Sequence, residues 1–317
     1  MCIRDSIPPE VQLLANSIGV DSVYCSGEYP SVFFKEVSDF NTENLTLIAD
    51  IQRKIWNNSS VVLLYVVSLT EIRIYNCNST PVFFNTDNPD TEAELAKRQI
   101  VTCDINDIQK LTQIKNIFSS IAIDAGKLWT SEYAKNIQLK TKVDRYLVDS
   151  LLNLARKLRE DLDDNTIHSL LIRSIFLMYL QDRKAIPEEI WTKMHASSFL
   201  EVLDDKKKTY NLFEEIANHF HGSILPFNKS ESQRVSNEHL HLLKMCLIDG
   251  NIDVIQTRLF TWRLFDFSFI RIELISEIYE NFLNEFDPVR KKQTGTYYTP
   301  SSLVELVLND VLPVSYT

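Results

Sequence analysis

The stretch Val61-Val62-Leu63-Leu64-Tyr65-Val66-Val67-Ser68-Leu69-Thr70-Glu71-Ile72-Arg73-Ile74-Tyr75-Asn76-Cys77 decides the fold class of the first part of the chain. Val61 to Val67 is a nearly continuous apolar run, which is typical of a central strand buried on both faces. Glu71 to Cys77 alternates between two sets of side chains, as a strand does. Ser68 to Thr70 is short enough to join the two runs. The sequence therefore predicts a hairpin inside a sheet.

The residues on either side of this hairpin extend it to a small α/β domain over residues 7–105. Ser31 to Val37 is predicted to be a strand. Thr42 to Trp56 is predicted to be a helix, because its apolar residues recur at nearly helical spacing after a polar cap at Asn41. We expect Val82 to Phe84 to add a short edge strand.

From Asn106 onward the pattern is helical. The apolar residues of the segment from Val143 to Leu158 recur every three or four positions, which predicts a packed amphipathic helix. Asp163 to Thr166 caps a further helix, on which Arg173, Asp182 and Arg183 are polar positions expected to form ion pairs with an architectural role. The predicted fold class is α+β, with a mostly helical domain over residues 106–285 after the α/β domain.

Composition excludes several classes of protein. No stretch approaches the roughly twenty apolar residues of a membrane span. The five cysteines include no Cys-x-x-Cys pair, which indicates a reducing compartment without a zinc site, so the cytoplasm is the expected location. Two His-x-His pairs, His219 with His221 and His239 with His241, are interpreted as surface or core-edge residues, since the second pair lies on a predicted helix that turns its members apart.

The net charge of −10 argues against this segment as a main DNA-binding surface, because nonspecific affinity for a duplex comes largely from phosphate neutralisation. Arg290 to Lys292 is a local basic strip that is either a phosphate contact or a solvated linker.

A basic loop that carries a glycine, Lys291-Lys292-Gln293-Thr294-Gly295-Thr296-Tyr297-Tyr298-Thr299-Pro300-Ser301-Ser302-Leu303-Val304, leads into a predicted helix. Pro300 suits the first turn of that helix, where its missing N–H costs nothing. Thr299 lies where an N-cap hydroxyl accepts a backbone N–H, and Gly295 is free to take a positive φ. Such a loop can hold a small polar ligand against a helix N-terminus.

This loop resembles the first motif of the amino-methyltransferases that modify adenine in DNA. Residues 266–283 and 171–183 resemble helices of the large single-chain methyltransferases of Type IIG restriction-modification and phage-defence systems. The resemblance implies that the loop binds S-adenosylmethionine. The implied cofactor-binding residues are Gly295, Tyr297, Tyr298, Thr299 and Pro300.

The family's other motifs are missing from these residues. Neither a Gly-rich strand-to-helix turn nor an Asn/Asp-Pro-Pro-Tyr/Phe loop occurs, and Asn88-Pro89 lies in a cluster typical of a turn. Residues 1–6 and 314–317 resemble translated sequencing-adapter sequence. We therefore interpret residues 286–313 as the start of a truncated methyltransferase domain that contains its first helix. No catalytic residue is assigned, and the fragment alone is predicted to be inactive.

Enzymes of the Type IIG kind often carry a nuclease of the Asp…Glu-x-Lys type ahead of the methyltransferase. Metal-dependent cleavage needs carboxylates clustered at the ends of adjacent strands, with a lysine nearby. Lys35-Glu36 has the wrong order, and Arg73 stands where the pattern needs lysine. We interpret the first domain as degenerate nuclease-like or purely structural, and assign no metal site. Asp50 or Glu36 with Glu71 would be the fallback metal pair.

The resemblance implies a site-specific DNA methyltransferase that moves a methyl group from S-adenosylmethionine to the exocyclic amine of adenine. Its expected partners are DNA, bound mainly through regions beyond these residues, and proteins of a restriction system, with no membrane. The competing interpretation is a non-catalytic helical scaffold or interaction module of such a system.

Overall fold

The computed structural model describes residues 7–84, 90–137, 142–220, 230–252 and 262–286. The chain divides into two compact units between Val143 and Asp144. The predicted α+β class is confirmed, since the first unit holds a sheet and the described part of the second is helical. The adapter-like ends, the predicted turn at Asn88-Pro89 and the predicted helix after Pro300 lie outside the described residues.

The first unit combines strands and helices. Its described elements are α1 (Pro9–Ile18), β1 (Ser22–Ser26), β2 (Tyr29–Glu36), α2 (Thr42–Asn58), β3 (Leu63–Val67), β4 (Glu71–Asn76), α3 (Asp90–Ala96), β5 (Gln99–Asp104), α4 (Ile108–Phe118), α5 (Ser120–Asp124) and α6 (Lys127–Thr130), followed by a 3₁₀ helix at Glu132–Asn136.

The strands of the described residues form one sheet in the order β1-β2-β3-β4-β5. β2 and β3 run parallel, joined by the crossover helix α2, and the other pairs are antiparallel. The apolar strand β3 is therefore central, and the predicted hairpin of β3 and β4 is confirmed. The prediction of a strand at Val82 to Phe84 was wrong, because the place beside β4 is taken by β5.

The two outer pairings of this sheet are irregular. The register between β1 and β2 shifts after Tyr24, so that Ser31 of β2 has no partner position. The register between β4 and β5 shifts after Ile74, and Ile100 of β5 is passed over in the same way. Each is an extra residue of the kind that makes a β-bulge. The two pairings of β3 keep an unbroken register.

Both faces of the sheet are buried. Phe33 and Leu64 are fully buried on one face. On the other face, Tyr65 and Ile74 belong to a core cluster with Phe118 of α4 and further residues up to Ile137. The helices after β5 therefore pack on the sheet, and the division between the compact units lies further along the chain than the predicted boundary at residues 105 and 106.

The regular elements of the second unit are all helices in its described residues, with α7 beginning at the division. Its elements are α7 (Val143–Leu158), α8 (Asp164–Asp182), α9 (Glu188–Met194), α10 (Phe199–Val202), α11 (Lys206–His219), α12 (Glu231–Arg234), α13 (Asn237–Asp249) and α14 (Ile272–Phe286). Within the described ranges, no helix is both long and apolar enough to cross a membrane.

The helix boundaries follow local chemistry. The Asp163 carboxylate accepts the Thr166 N–H at 3.1 Å, so the predicted cap of α8 is confirmed. The Asp205 carboxylate caps α11 by accepting two backbone N–H groups of the lysine run that opens it. The predicted apolar stripe of α7 is buried, from Leu147 to Leu158. α13 ends at Gly250, which has a φ of +80°.

Candidate functional site

The predicted cofactor residues lie beyond the described part of the chain. Gly295, Tyr297, Tyr298, Thr299 and Pro300 follow the last described residue, Phe286, so their placement stays a prediction. The described approach to this loop is the helix α14 and the segment just before it. The contacts of α14 within the second unit show how the entry to the loop is anchored.

α14 forms because its apolar residues fall on one face. Leu274, Ile278, Phe282 and Phe286 are buried, while Glu273, on the first turn, is partly exposed. The rings of Phe282 and Phe286 stack, with centroids 4.9 Å apart and an interplanar angle of 15°. The last turn of α14, which precedes the predicted cofactor loop in the chain, therefore carries a stacked aromatic pair.

Arg159 holds the C-terminal end of α14. Its guanidinium carbon lies 4.4 Å from the Phe286 ring centroid, and its Nη2 donates to the Phe286 carbonyl at 3.2 Å. The Asp164 carboxylate fixes the same guanidinium through contacts of 2.7 and 3.2 Å. A cation at a helix C-terminus satisfies a free carbonyl and opposes the negative end of the helix dipole. The end of α14 is thus tied to the residues between α7 and α8.

A second arginine binds the outer face of the same turn. The Arg145 guanidinium of α7 contacts the Glu285 carboxylate at 2.7 Å and the Asp149 carboxylate at 3.1 Å. All three side chains are substantially exposed, so these ion pairs add little to the free energy of unfolding. The pair of Arg145 with Glu285 links α14 to α7.

The segment before α14 is held by the end of α8. The buried Asp182 carboxylate accepts the Phe267 N–H at 3.1 Å and pairs with Arg263 at 3.1 Å. Arg183 donates to the Ile270 carbonyl at 2.9 Å, and its guanidinium lies over the Tyr179 ring. The predicted architectural role is confirmed for both residues, although Arg183 acts on backbone rather than through an ion pair.

Arg173 forms a buried ion pair with Glu231 of α12. The contacts measure 2.8 and 3.2 Å, and the two side chains are 2% and 4% exposed. The Tyr210 hydroxyl donates to the same carboxylate at 3.1 Å, and burial together with the Glu231 charge raises the pKa of Tyr210. The guanidinium also lies 4.6 Å from the Phe213 ring centroid. The expected ion pair of Arg173 is therefore confirmed, and it joins α8, α11 and α12.

Two of the three fallback metal residues of the first unit, Asp50 and Glu71, form ion pairs with basic neighbours. Burial acts to raise the pKa of Asp50, but hydrogen bonds from Lys54 and Arg53 outweigh it and hold that pKa below its usual value. Glu71 pairs with Arg73 at 3.0 Å. Among the residues that the structure describes, no group of three or more His, Cys, Asp and Glu side chains could hold a metal ion.

Near Glu36 lies the carboxylate of Asp21, which no sequence pattern predicts. Asp21 pairs with Lys35 at 3.0 Å, and its second oxygen accepts the Glu36 N–H at 2.7 Å. The pairing of β1 with β2 brings Asp21 next to Glu36, and no local sequence motif predicts this contact. The Asp21 carboxylate thus stabilises the end of β2 through its contacts with Lys35 and with the Glu36 N–H.

Of the described histidines that were considered for metal binding, His239 has a structural role, and His241 is exposed on the same helix. His239 lies on α13, as predicted, and its Nδ1 accepts the Ser236 N–H at 3.1 Å in a capping box. Its Nε2 lies 3.3 Å from the Asp161 carboxylate. His219 stacks edge-on against Phe220, and His221 lies outside the described residues.

Comparison with known proteins gives one match. Residues 271–315 match the family of N-6 DNA methylases. No curated protein and no solved structure matches the chain. The matched segment spans α14 and the whole predicted cofactor loop. Through residues 271–315, the comparison therefore supports a relationship of this chain to the N-6 DNA methylase family.

Proposed function

We propose that this chain is part of an adenine-specific DNA methyltransferase, which transfers a methyl group from S-adenosylmethionine to the exocyclic amine of adenine. The observation that carries the proposal is the coincidence of two signals. The family match over residues 271–315 encloses the loop from Gly295 to Pro300, whose residue types suit a ligand loop at a helix N-terminus.

Each residue of this loop has a proposed role. Gly295 and Tyr297 shape the loop, and Tyr298, Thr299 and Pro300 border the methionine end of the cofactor. The cofactor supplies an activated methyl group, and the loop's contribution is to bind and orient it. The target adenine has to leave the duplex, because its amine is out of reach while the base is stacked.

The anchoring of α14 supports this assignment. A cofactor loop has to start from a fixed point if it is to position a methyl donor. Arg159 ties the last turn of α14 to the helical unit through both the ring and the carbonyl of Phe286. The fixed end of α14 is thus the last described point of the chain before the proposed cofactor loop.

We propose further that these residues are part of a longer protein of a restriction-modification or phage-defence system in the cytoplasm. The net charge of −10 favours DNA contacts elsewhere in that protein. Proteins of the same system are candidate partners. By itself, this chain should neither methylate DNA nor bind S-adenosylmethionine tightly, and micromolar binding in a calorimetric titration would contradict that expectation.

The test begins with the gene. Long-read sequencing past the codon for Pro313 should reveal, in frame, a Gly-rich turn and an Asn-Pro-Pro-Tyr-like loop. A stop codon there would overturn the enzyme assignment and leave a helical scaffold whose Tyr-Tyr-Thr-Pro turn is a cap.

The complete gene is then expressed in a host that lacks adenine methylation, and N6-methyladenine is measured in the host DNA. Tyr298→Ala should abolish the modification and weaken binding of S-adenosylmethionine at least tenfold. Tyr29→Ala is the matched control, since Tyr29 is 71% exposed in the first unit and should change neither readout. Equal activity of both variants would remove Tyr298 from the cofactor site.

A further inference from the structure

The first unit contains a cleft between one face of its sheet and the helices that follow β5. The cleft has a volume of about 490 Å³ and lies over β1, β2 and β3, beside the junction of α4 and α5. Small-molecule sites span roughly 300–1,000 Å³, so it has the size for one small ligand. It lies in the first unit, whereas the methylase match lies in the second.

Strand register brings the side chains of the cleft together. Tyr24 is opposite Val32, and Phe34 is opposite Tyr65 in the parallel pair of β2 and β3. Residues two apart on a strand share a face, so Val32 and Phe34 line the same side of the sheet. Phe118, at the end of α4, and Ile123 of α5 also line the cleft.

The floor of the cleft is aromatic, and its rings pack against one another. The Phe34 and Tyr65 rings meet edge to face with centroids 5.1 Å apart, and Tyr65 meets Phe118 in the same way at 6.4 Å. The Tyr65 hydroxyl donates its hydrogen bond to the Phe118 carbonyl at 2.8 Å, so it has no hydrogen left to donate to a ligand. A ligand that reaches this floor therefore meets ring faces and edges, which suit another aromatic ring.

The rim supplies hydroxyl groups, and an exposed carboxylate outside the lining is bonded to one of the tyrosines that line the cleft. Ser22, Ser119 and Ser120 line the cleft, and the residues lining it include no lysine, arginine or histidine. The hydroxyl of Tyr24 donates to the Asp124 carboxylate at 2.5 Å. This bond, with a second from Ser26, holds the pKa of Asp124 below its usual value, so the carboxylate is ionised at neutral pH. An anionic ligand would bind near this charge, and none of the residues that line the cleft is basic.

We propose that this cleft is a binding site for a small, planar, uncharged aromatic compound with hydrogen-bonding groups at one edge. Its ring packs on Phe34, Tyr65 and Phe118, and its polar edge meets the serine hydroxyls of the rim. Phosphate-bearing ligands such as nucleotides are disfavoured at this site by the Asp124 charge and by the absence of a basic residue in its lining.

The test compares two probes of nearly equal shape, indole-3-carboxamide and the anionic indole-3-carboxylate. Ligand-observed NMR with the full chain should show saturable binding of the amide, and binding of the carboxylate at least tenfold weaker. Equal affinities would overturn the charge argument, and no binding of either probe would overturn the site.

A pair of variants on α5 locates the binding. Ile123→Trp places an indole inside the cleft and should weaken amide binding at least tenfold. Ile121→Trp makes the same change at a position 80% exposed on the same helix and should leave binding unchanged. Unchanged binding by Ile123→Trp, with a normal thermal unfolding curve, would contradict the proposal.

If Ile123→Trp does not fold, the position of the bound amide probe is measured on the wild-type chain instead. Nuclear Overhauser contacts are expected between the amide probe and the ring protons of Phe34 and Phe118. Contacts to other residues alone would place the compound elsewhere and overturn the proposal. The result is independent of methyl transfer, because it needs neither S-adenosylmethionine nor DNA.

Discussion

Arg173 and Glu231 depend on each other because both are almost fully buried. Removing one charge from such a pair leaves the other without a counterion in a medium that solvates it poorly. The same loss at the surface is compensated by water. The stability contributed by an ion pair in this chain should therefore follow its burial, and two pairs of similar length allow a direct comparison.

We expect Glu231→Gln to lower the free energy of unfolding by about 3–5 kcal/mol, since it strands the Arg173 charge. Glu215→Gln is the control, because Glu215 pairs with Lys193 at 2.9 Å on the surface and should cost about 0–1 kcal/mol. Urea unfolding followed by circular dichroism measures both. Similar losses for the two variants would show that burial does not set the value of these pairs.

At Gly250, both the backbone conformation and the surrounding packing disfavour a side chain. Its φ is +80°, and an added Cβ would lie 2.4 Å from the Ser150 Oγ and 2.7 Å from a ring carbon of Tyr146. A left-handed conformation costs an L-residue about 1–2 kcal/mol, and overpacking adds about 1–3 kcal/mol. Gly250→Ala should therefore lower the free energy of unfolding by about 2–5 kcal/mol.

Gly19→Ala is the matched control for this substitution. Gly19 also ends a helix, with a φ of +93°, but an added Cβ there meets nothing within 4 Å. Only the backbone cost of about 1–2 kcal/mol should appear. If both variants lose the same stability in urea unfolding, the contact with Ser150 and Tyr146 contributes nothing.

Among the described elements, α14 is the one that precedes the proposed cofactor loop in the chain. Arg159→Ala removes the ring contact and the bond to the Phe286 carbonyl. We expect amide hydrogen exchange in the last turn of α14 to accelerate at least tenfold, which corresponds to about 1.4 kcal/mol of lost local stability. Mass spectrometry of the peptide that covers this turn measures the rate.

Arg156→Ala is the control for that experiment, since Arg156 is exposed and donates to Asn153 on its own helix. Its exchange rates in α14 should match those of the wild type. Unchanged exchange after Arg159→Ala would show that Phe282 and Phe286 hold the helix end without it.

Elements with a strong period were predictable, and those defined by long-range pairing were not. α2, α7 and the hairpin follow from local spacing, because one apolar face or run specifies each. β1 and β5 are short and polar at their ends, and they became strands by pairing with β2 and β4. The contact of Arg159 with Phe286 joins residues 127 apart, which no local pattern reveals.

For the whole molecule, the acidic balance sets an expectation about DNA. With a net charge of −10, the chain should bind a short labelled duplex with a dissociation constant above about 10⁻⁴ M at physiological salt. Fluorescence anisotropy measures this. Micromolar binding would contradict it, and alanine substitution of Arg290 to Lys292 would then show whether the basic strip is responsible.

The two irregular outer pairings of the sheet affect its tendency to aggregate through its edge strands. A flat, regular edge presents a row of free backbone groups on which a strand from another molecule can add, and bulges interrupt such rows. Here the extra residues Ser31 and Ile100 fall in the outermost pairings, while the centre stays regular. The extra residue Ile100 lies on the edge strand β5 itself, where a bulge opposes lateral growth into aggregates.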